Sequence, residues 1–429
     1  MSATSAILDF AAASHTLPAA VRADALRLLA DTLAVGVAGA ASPEARALLP
    51  IVQAWGQSGE ARSFSGNALP AASATFFNGF AIHCLEWDAV HEGAVVHALS
   101  VVTAALLAAS DRMGGSDPQA FLRALTVGVD VASGLGIAAT GPMRFFRPAI
   151  AGVIGAALAV ARLEGLSRAQ MADVLGLAYS FAGGTMQAHT EASIALTLQI
   201  GRAAQAAVQA VDLVKAGMTG PHDVLEGAFG YSALIEPLDL TEYVVGLGTV
   251  WRISEVSIKP FPSGRASHAI LGTLADIRSS GRTIERITAH VPPLIMRLVG
   301  RPYDPDMTPA YARLCLPLLC ALMLRDGRID PRRFTPEIFA DPVIVELAQK
   351  VSVTLDDNPD GNALSPQRFE ILYADKTSES IDVAHTLGSP QAPLWPEQAN
   401  AKYELCRALA PNCDPRIFDD PLAYATEPE

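Results

Sequence analysis

From about residue 5 to about residue 235 the chain is a succession of Ala- and Leu-rich segments. In each, apolar residues recur every three to four positions until a glycine, a proline or a polar cluster ends the run. A strand buries alternate residues and cannot use this period, so the stretch has to be helix packed on helix. Val21–Gly39, Asp117–Gly134 and Ser167–Gly184 all read this way. Pro118 suits the first helical position, where its missing N–H leaves nothing unpaired. Ser167 reads as an N-cap whose hydroxyl accepts from an orphan N–H of the first turn. Gly152 and Gly155, within AIAGVIGAALAVARL, would let two helices approach closely. No self-similarity at a 20–50-residue period is visible, which excludes a solenoid.

The pattern changes near Trp251. VSIKPF, ITAHVPP and VSVTLDD read as strands, and RFEILYAD…SESIDVAH reads as a hairpin about the polar turn ADKTSES. Pro309–Asp326 reads as a helix with a proline interruption, Gly388–Pro396 as a linker, and Glu397–Leu409 as an amphipathic helix. The expected fold class is therefore mainly α with a second α+β domain. Residues 1–250 and 395–429 would form a large all-helical domain built from both chain ends, and residues 251–394 an inserted, smaller α+β lid.

Composition narrows the function. The 31 basic residues fall short of the 44 acidic ones, a net charge of −13 that argues against a nucleic-acid partner. Half of the 429 residues are apolar, more than a soluble monomer needs, so part of the surface is expected to be covered in an oligomer. Ala94–Ala109 comes nearest to a membrane span, but it is short of the ~20 apolar residues required and contains His97, so it is expected as a buried core helix, with no membrane partner. The N-terminus lacks a basic region followed by an apolar core and cleavage site, and a cytoplasmic location is expected. Five cysteines without metal spacing read as reduced thiols. GxGxxG, GxxxxGK[ST], HExxH and GxSxG are all absent, so no nucleotide cofactor, no metal and no nucleophilic role for Ser263 are expected.

Four segments gather groups able to move protons or hold anions. Asn78–Ser100 carries His83, Glu86, Asp88, His91 and His97. If helical, Asp88 and His91 stand one turn apart, the spacing for a carboxylate that orients an imidazole base; His83 reads equally well as a core histidine. Arg144–Gly152 sets Arg144 and Arg147 before a helix that begins near Pro148, an arrangement suited to a carboxylate. Gly183–Gln205 places His189 and Glu191 in a loop of small residues. Ser257–Ile270 offers Lys259, Arg265 and His268, cations suited to an anionic substrate.

Taken in order, these segments resemble the MmgE/PrpD family. Its pattern NGxxAHxLDFDDxH…HPS stands here as NGFAIHCLEWDAVH…HALS, and its GxHPTxxxGxxGAAxAAxxLxGL as RFFRPAIAGVIGAALAVARLEGL. TKRLHxGxAA…GFTGPxxxLEGxxGF stands as LTLQIGRAA…GMTGPHDVLEGAFGY, KPYPxCRxxH as KPFPSGRASH, and SLPYxxAxxLLDG as CLPLLCALMLRDG. The resemblance implies a helical domain with an α+β lid, a homodimer, and a site between the domains. It also implies an activity among 2-methylcitrate dehydration, cis-aconitate decarboxylation and iminodisuccinate epimerisation, with no obligatory metal or cofactor.

Carried over residue by residue, Asp88, His91, His97, Lys259, Arg265 and His268 keep the family's groups. Ala89 replaces the second Asp, Arg147 the His before Pro, Leu196 a Lys, Gln199 a His, Gly264 a Cys and Leu318 a Tyr. The expectation is a dehydratase-type lyase on a small di- or tricarboxylic acid such as a 2-methylcitrate-like substrate. Asp88 and His91 would act as the base pair, His97 or His268 as the acid, and Arg147, His189, Lys259 and Arg265 would hold the substrate. A dicarboxylate epimerase, or a binding protein that has lost its chemistry, stands as the alternative.

Overall fold

The computed structural model describes residues 2–428. Long helices span Ala19–Ala40, Ala71–His83, Ala98–Arg112, Pro118–Ile137, Arg147–Leu163 and Ala195–Lys215. Ala98–Arg112 is buried from Ala98 to Asp111, and Ala71–His83 is buried at all but one position. Helices apolar all round belong at the centre of a bundle, and these two pack with Arg147–Leu163 and Ala195–Lys215.

Small residues set how closely the bundle packs. A Cβ added to Gly155 would lie 2.2 Å from the Gly128 carbonyl oxygen, and one on Gly152 would lie 2.8 Å from Val101 Cγ2. The two glycines read from the sequence as close-approach points are therefore where helix Arg147–Leu163 meets Pro118–Ile137 and Ala98–Arg112.

Caps also follow the sequence. Asp117 accepts from Ala120 N at 2.7 Å. Ser167 Oγ accepts from Gln170 N at 3.3 Å while Gln170 Oε1 accepts from Ser167 N at 3.0 Å, a reciprocal capping box. That helix stops at Ser180, short of Gly184.

Pro118–Ile137 is the single helix among the described residues long and apolar enough to cross a membrane. The run expected to come nearest, Ala94–Ala109, yields a helix of only 15 residues, Ala98–Arg112. Pro118–Ile137 is mostly buried inside the protein and also buries Asp130, as a core helix does.

The β-like stretch forms a four-stranded sheet in the order Val351–Leu355, Ile284–Val291, Gln367–Tyr373, Ser378–Val383. The first pair is parallel and the others antiparallel. Ile287 faces Ile371 and Ala289 faces Phe369, so one apolar face is continuous across the central strands. That face joins helix Leu316–Asp326 in a second apolar cluster, separate from the helical one. The interrupted helix resolves into Pro309–Ala312 and Leu316–Asp326, the latter with Pro317 in its first turn.

VSIKPF makes only a two-residue strand, Val256–Ser257, because Pro260 and Pro262 bring no N–H to a ladder. It pairs antiparallel with Val90–His91, stitching the loop after helix Ala71–His83 to the start of the second region. At the other end Pro396–Leu409 packs on Ala19–Ala40, with Lys402 Nζ 2.6 Å from Asp31 Oδ1, both buried. Cys406 joins the helical cluster.

Candidate active site

Helix Ala71–His83 ends at His83, and the chain then turns sharply. Glu86 has φ 53°, a left-handed conformation that costs energy for a side-chain-bearing residue and gathers at functional sites. What holds it is long-range: Lys259 Nζ donates to the Glu86 carbonyl at 2.9 Å and to its Oε2 at 3.3 Å. Trp87 Nε1 adds a bond to the Pro260 carbonyl at 3.2 Å.

The turn delivers Asp88 into the interior, fully buried. Its Oδ2 accepts from Ser100 Oγ and lies 2.9 Å from His83 Nδ1. His97 Nδ1 approaches the same oxygen at 3.0 Å, ion-pair distance without hydrogen-bond alignment. Lys259 Nζ sits 3.6 Å from Oδ1. The His83 and His97 rings meet edge to face with centroids 4.9 Å apart.

Charge in this cluster follows from burial and neighbours. Burial works to raise Asp88, but His83, His97 and Lys259 outweigh it and hold the carboxyl well below its ordinary range. Glu86 is lowered in the same way, against burial, by His83 and Lys259. For His83, burial opposes charge, yet Asp88 and Glu86 prevail and its pKa is raised. For His97 burial prevails over Asp88 and its pKa is lowered. One imidazole therefore favours the proton and its neighbour releases it, the division of labour an acid–base pair needs.

His83, Glu86 and His97 line a cavity of about 70 Å³ together with His189 and Arg265. By the ~10–15 Å³ that one water needs, this holds a handful of water-sized groups. The rest of the wall is apolar, including Met143, Phe146, Met186, Leu196, Leu298 and Leu314. Leu196 stands where the resemblance expects a Lys, so an apolar wall replaces that cation. Gln199 is turned to the Thr185 carbonyl and Leu318 is buried in the second cluster; neither lines this cavity.

Several expected site residues are placed otherwise. His91 does not pair with Asp88. It lies in the short strand, with Nε2 2.8 Å from Glu255 Oε2 and Nδ1 accepting from Ala94 N at 3.2 Å. The one-turn spacing failed because the chain from Glu86 to Val95 is not helical. His268 is buried beside Ser263, 3.1 Å from its Oγ, and its Nδ1 is 3.4 Å from Arg265 Nη1; it stands behind Arg265 and does not line the cavity. Burial, then the charges of Arg265 and Lys259, push its pKa well down, which removes it as a ready proton donor.

Arg147 is spent on the buried Glu236, with Nε 2.8 Å from Oε2. Arg265 reaches the cavity, but Glu92 takes its fork at 2.8 and 3.0 Å, and the Leu387 and Thr386 carbonyls accept two more of its protons. His189 does line the cavity.

His83, Glu86 and Arg301 are the additions. Crowding of titratable groups in HCLEWD points to the first two. Nothing local points to Arg301, which reaches His189 from far along the chain.

One atom each of His83, Glu86, Asp88 and His97 lie within 4.8 Å of one another, a donor set chemically able to hold a divalent cation. The Lys259 ammonium already supplies positive charge to both of its carboxylates.

A family model described as the MmgE/PrpD N-terminal domain matches residues 7–241, and one described as the MmgE/PrpD C-terminal domain matches residues 261–413. Cis-aconitate decarboxylase of Mus musculus is 29% identical over 377 residues, which cover 79% of this chain and 73% of that protein. The Homo sapiens protein of the same name is 28% identical over 326 residues, covering 72% of this chain and 65% of its own. That of Aspergillus terreus is 24% identical over 425 residues, covering 91% and 86%.

Proposed function

Because this chain belongs to the MmgE/PrpD family, we propose that it is a lyase acting on a small carboxylic acid, by carbanion or enolate chemistry beside a carboxylate. The observation that carries this is the cluster of Asp88, His97 and Lys259, from which His97 lines a cavity. The relatives named cis-aconitate decarboxylase support it.

In a dehydration, neutral His97 takes the proton α to the carboxylate, and Asp88 stabilises the imidazolium that results. The Lys259 ammonium, which lies behind Glu86 and Asp88 and not on the cavity wall, offsets the negative charge that develops in the cavity. The electron pair left on carbon then forms the double bond as the C–O bond at the neighbouring carbon breaks, and protonated His83 gives its proton so that water leaves. In a decarboxylation the same groups serve in a different order. The C–C bond to a carboxylate breaks, carbon dioxide leaves, and the carbanion takes its proton from the histidine pair. Both reactions need no group beyond these side chains. The two imidazoles share one carboxylate oxygen, which favours this single acid–base pair over the opposed bases an epimerase requires.

The test is proton NMR of the purified protein in D₂O with citrate, 2-methylcitrate, cis-aconitate and alkyl-substituted hydroxy acids. New olefinic signals, or loss of a carboxylate as carbon dioxide, are expected. Deuterium at the α carbon with no loss of water or carbon dioxide would overturn the lyase reading in favour of an epimerase.

A further inference from the structure

The apolar wall and the paired cations bear on which acid fits. Lys259 faces Glu86 and Asp88, Arg265 faces Glu92 and two carbonyls, and Arg147 faces Glu236. Each positive charge is matched by a carboxylate of the protein. A ligand with three carboxylates would bring three negative charges to a site with no cation to spare among these.

Arg301 differs. Its Nη2 donates to the His189 carbonyl and lies 3.4 Å from His189 Nδ1, and its guanidinium stacks on Tyr311 with the ring centroid at 5.1 Å. No carboxylate lies within ion-pair distance of it among the described residues, and Glu86 acts on it only from farther away. Its Nη1 is buried without a hydrogen-bond partner, and so is His189 Nε2. With Nδ1 facing the guanidinium as acceptor, the His189 proton sits on Nε2. Two N–H donors are thus buried and unanswered on neighbouring residues, one of which lines the cavity. An unpaired buried donor is costly; His189 offers its Nε2 proton from the cavity wall, where a carboxylate would answer it, and the Arg301 guanidinium behind it favours that negative charge. The adjoining wall of Met186, Leu196 and Leu314 would cover an alkyl group.

We propose that Arg301 and His189 form a carboxylate anchor, and that the substrate is an acid with one carboxylate, or at most two, and a short alkyl arm, rather than a tricarboxylate. This rests on the lyase reading for its chemistry, but the ligand class is open to test by binding alone.

The experiment is calorimetric titration of the full chain with unreactive acids: butanoate, pentanoate and hexanoate against propane-1,2,3-tricarboxylate. Pentanoate is expected to bind at least about tenfold more tightly than the tricarboxylate. Each added methylene should tighten binding by about fourfold until the wall is filled. Arg301→Met should weaken pentanoate by about ten- to a hundredfold, and Arg301→Lys should restore part of that loss. Leu196→Lys should move the preference toward the tricarboxylate. Tighter binding of the tricarboxylate by the unaltered protein, no binding of any monocarboxylate, or an Arg301→Met variant that binds pentanoate unchanged would each overturn the proposal. The expected binding order with no turnover of any alkyl acid would support the ligand class and count against the lyase reading alone.

Discussion

His97 places Nδ1 3.0 Å from Asp88 Oδ2 while its ring lines the cavity. His91, only six residues earlier in the chain, spends both nitrogens elsewhere, on Glu255 and Ala94 N. The two histidines therefore separate cleanly by mutation. Asp88→Asn and His97→Gln should each lower kcat by about 10²–10⁴-fold, the usual worth of an acid–base group. His91→Gln should leave kcat within a few-fold of the parent. Steady-state rates on whichever acid turns over decide it; loss of activity in the His91 variant alone would reverse the assignment.

Stability should fall with acid, and His189 accounts for a share of that fall together with the other buried histidines held low, His97 and His268. Burial first and the Arg301 charge second pull the His189 pKa down to about 4 from 6.5. The unfolded chain then binds a proton near 6.5 that the folded chain refuses until about 4. The contribution is whole above pH 6.5 and drains away as pH falls toward 4, amounting to about 3 kcal/mol at the bottom of the window. Urea midpoints measured from pH 7 to pH 4 should drop, and His189→Gln should flatten that drop. Equal slopes in the two proteins would show that other groups govern it.

Turnover should survive chelation. Lys259 occupies the cationic role between Glu86 and Asp88, so prolonged treatment with EDTA should leave kcat unchanged. Lys259→Met should remove turnover and destabilise the fold by about 3–5 kcal/mol, because the buried Asp88 and the partly buried Glu86 lose their shared partner. Activity lost to EDTA and recovered with a divalent ion would identify the His83–Glu86–Asp88–His97 set as a metal site instead.

Gly155→Val should cost about 1–3 kcal/mol and lower Tm, since its added carbons meet the Gly128 carbonyl across the helix contact. A Tm equal to the parent's would mean that the two helices part without penalty.

Much of the fold is legible in the sequence because its causes are local. The Ser167 cap needs only a hydroxyl before a helical run, the hairpin about ADKTSES needs two alternating runs, and Gly155 needs only a missing side chain in an apolar helix. The site was legible as an inventory but not as a wiring diagram. Asp88, His97 and Lys259 are recognisable by type. Yet the partner of Asp88 depended on a left-handed turn at Glu86, which is held from Lys259. His83 was readable as a core histidine, and it is buried; that it bonds Asp88 was not readable from burial. Arg147 looked like a free cation because Glu236, its partner, lies 89 positions away.

The two-residue ladder between Val90–His91 and Val256–Ser257 has a consequence beyond geometry. It fastens the stretch that supplies Asp88 and Glu86 to the stretch that supplies Lys259. Neither stretch is electrically neutral by itself, and each buries its charge only in the company of the other. The charged cluster is therefore jointly owned, and the two stretches have to change together: a charge reversal on one side can persist only if the other answers it. Proteins that share this ladder should show that paired drift, whatever acid they have come to accept.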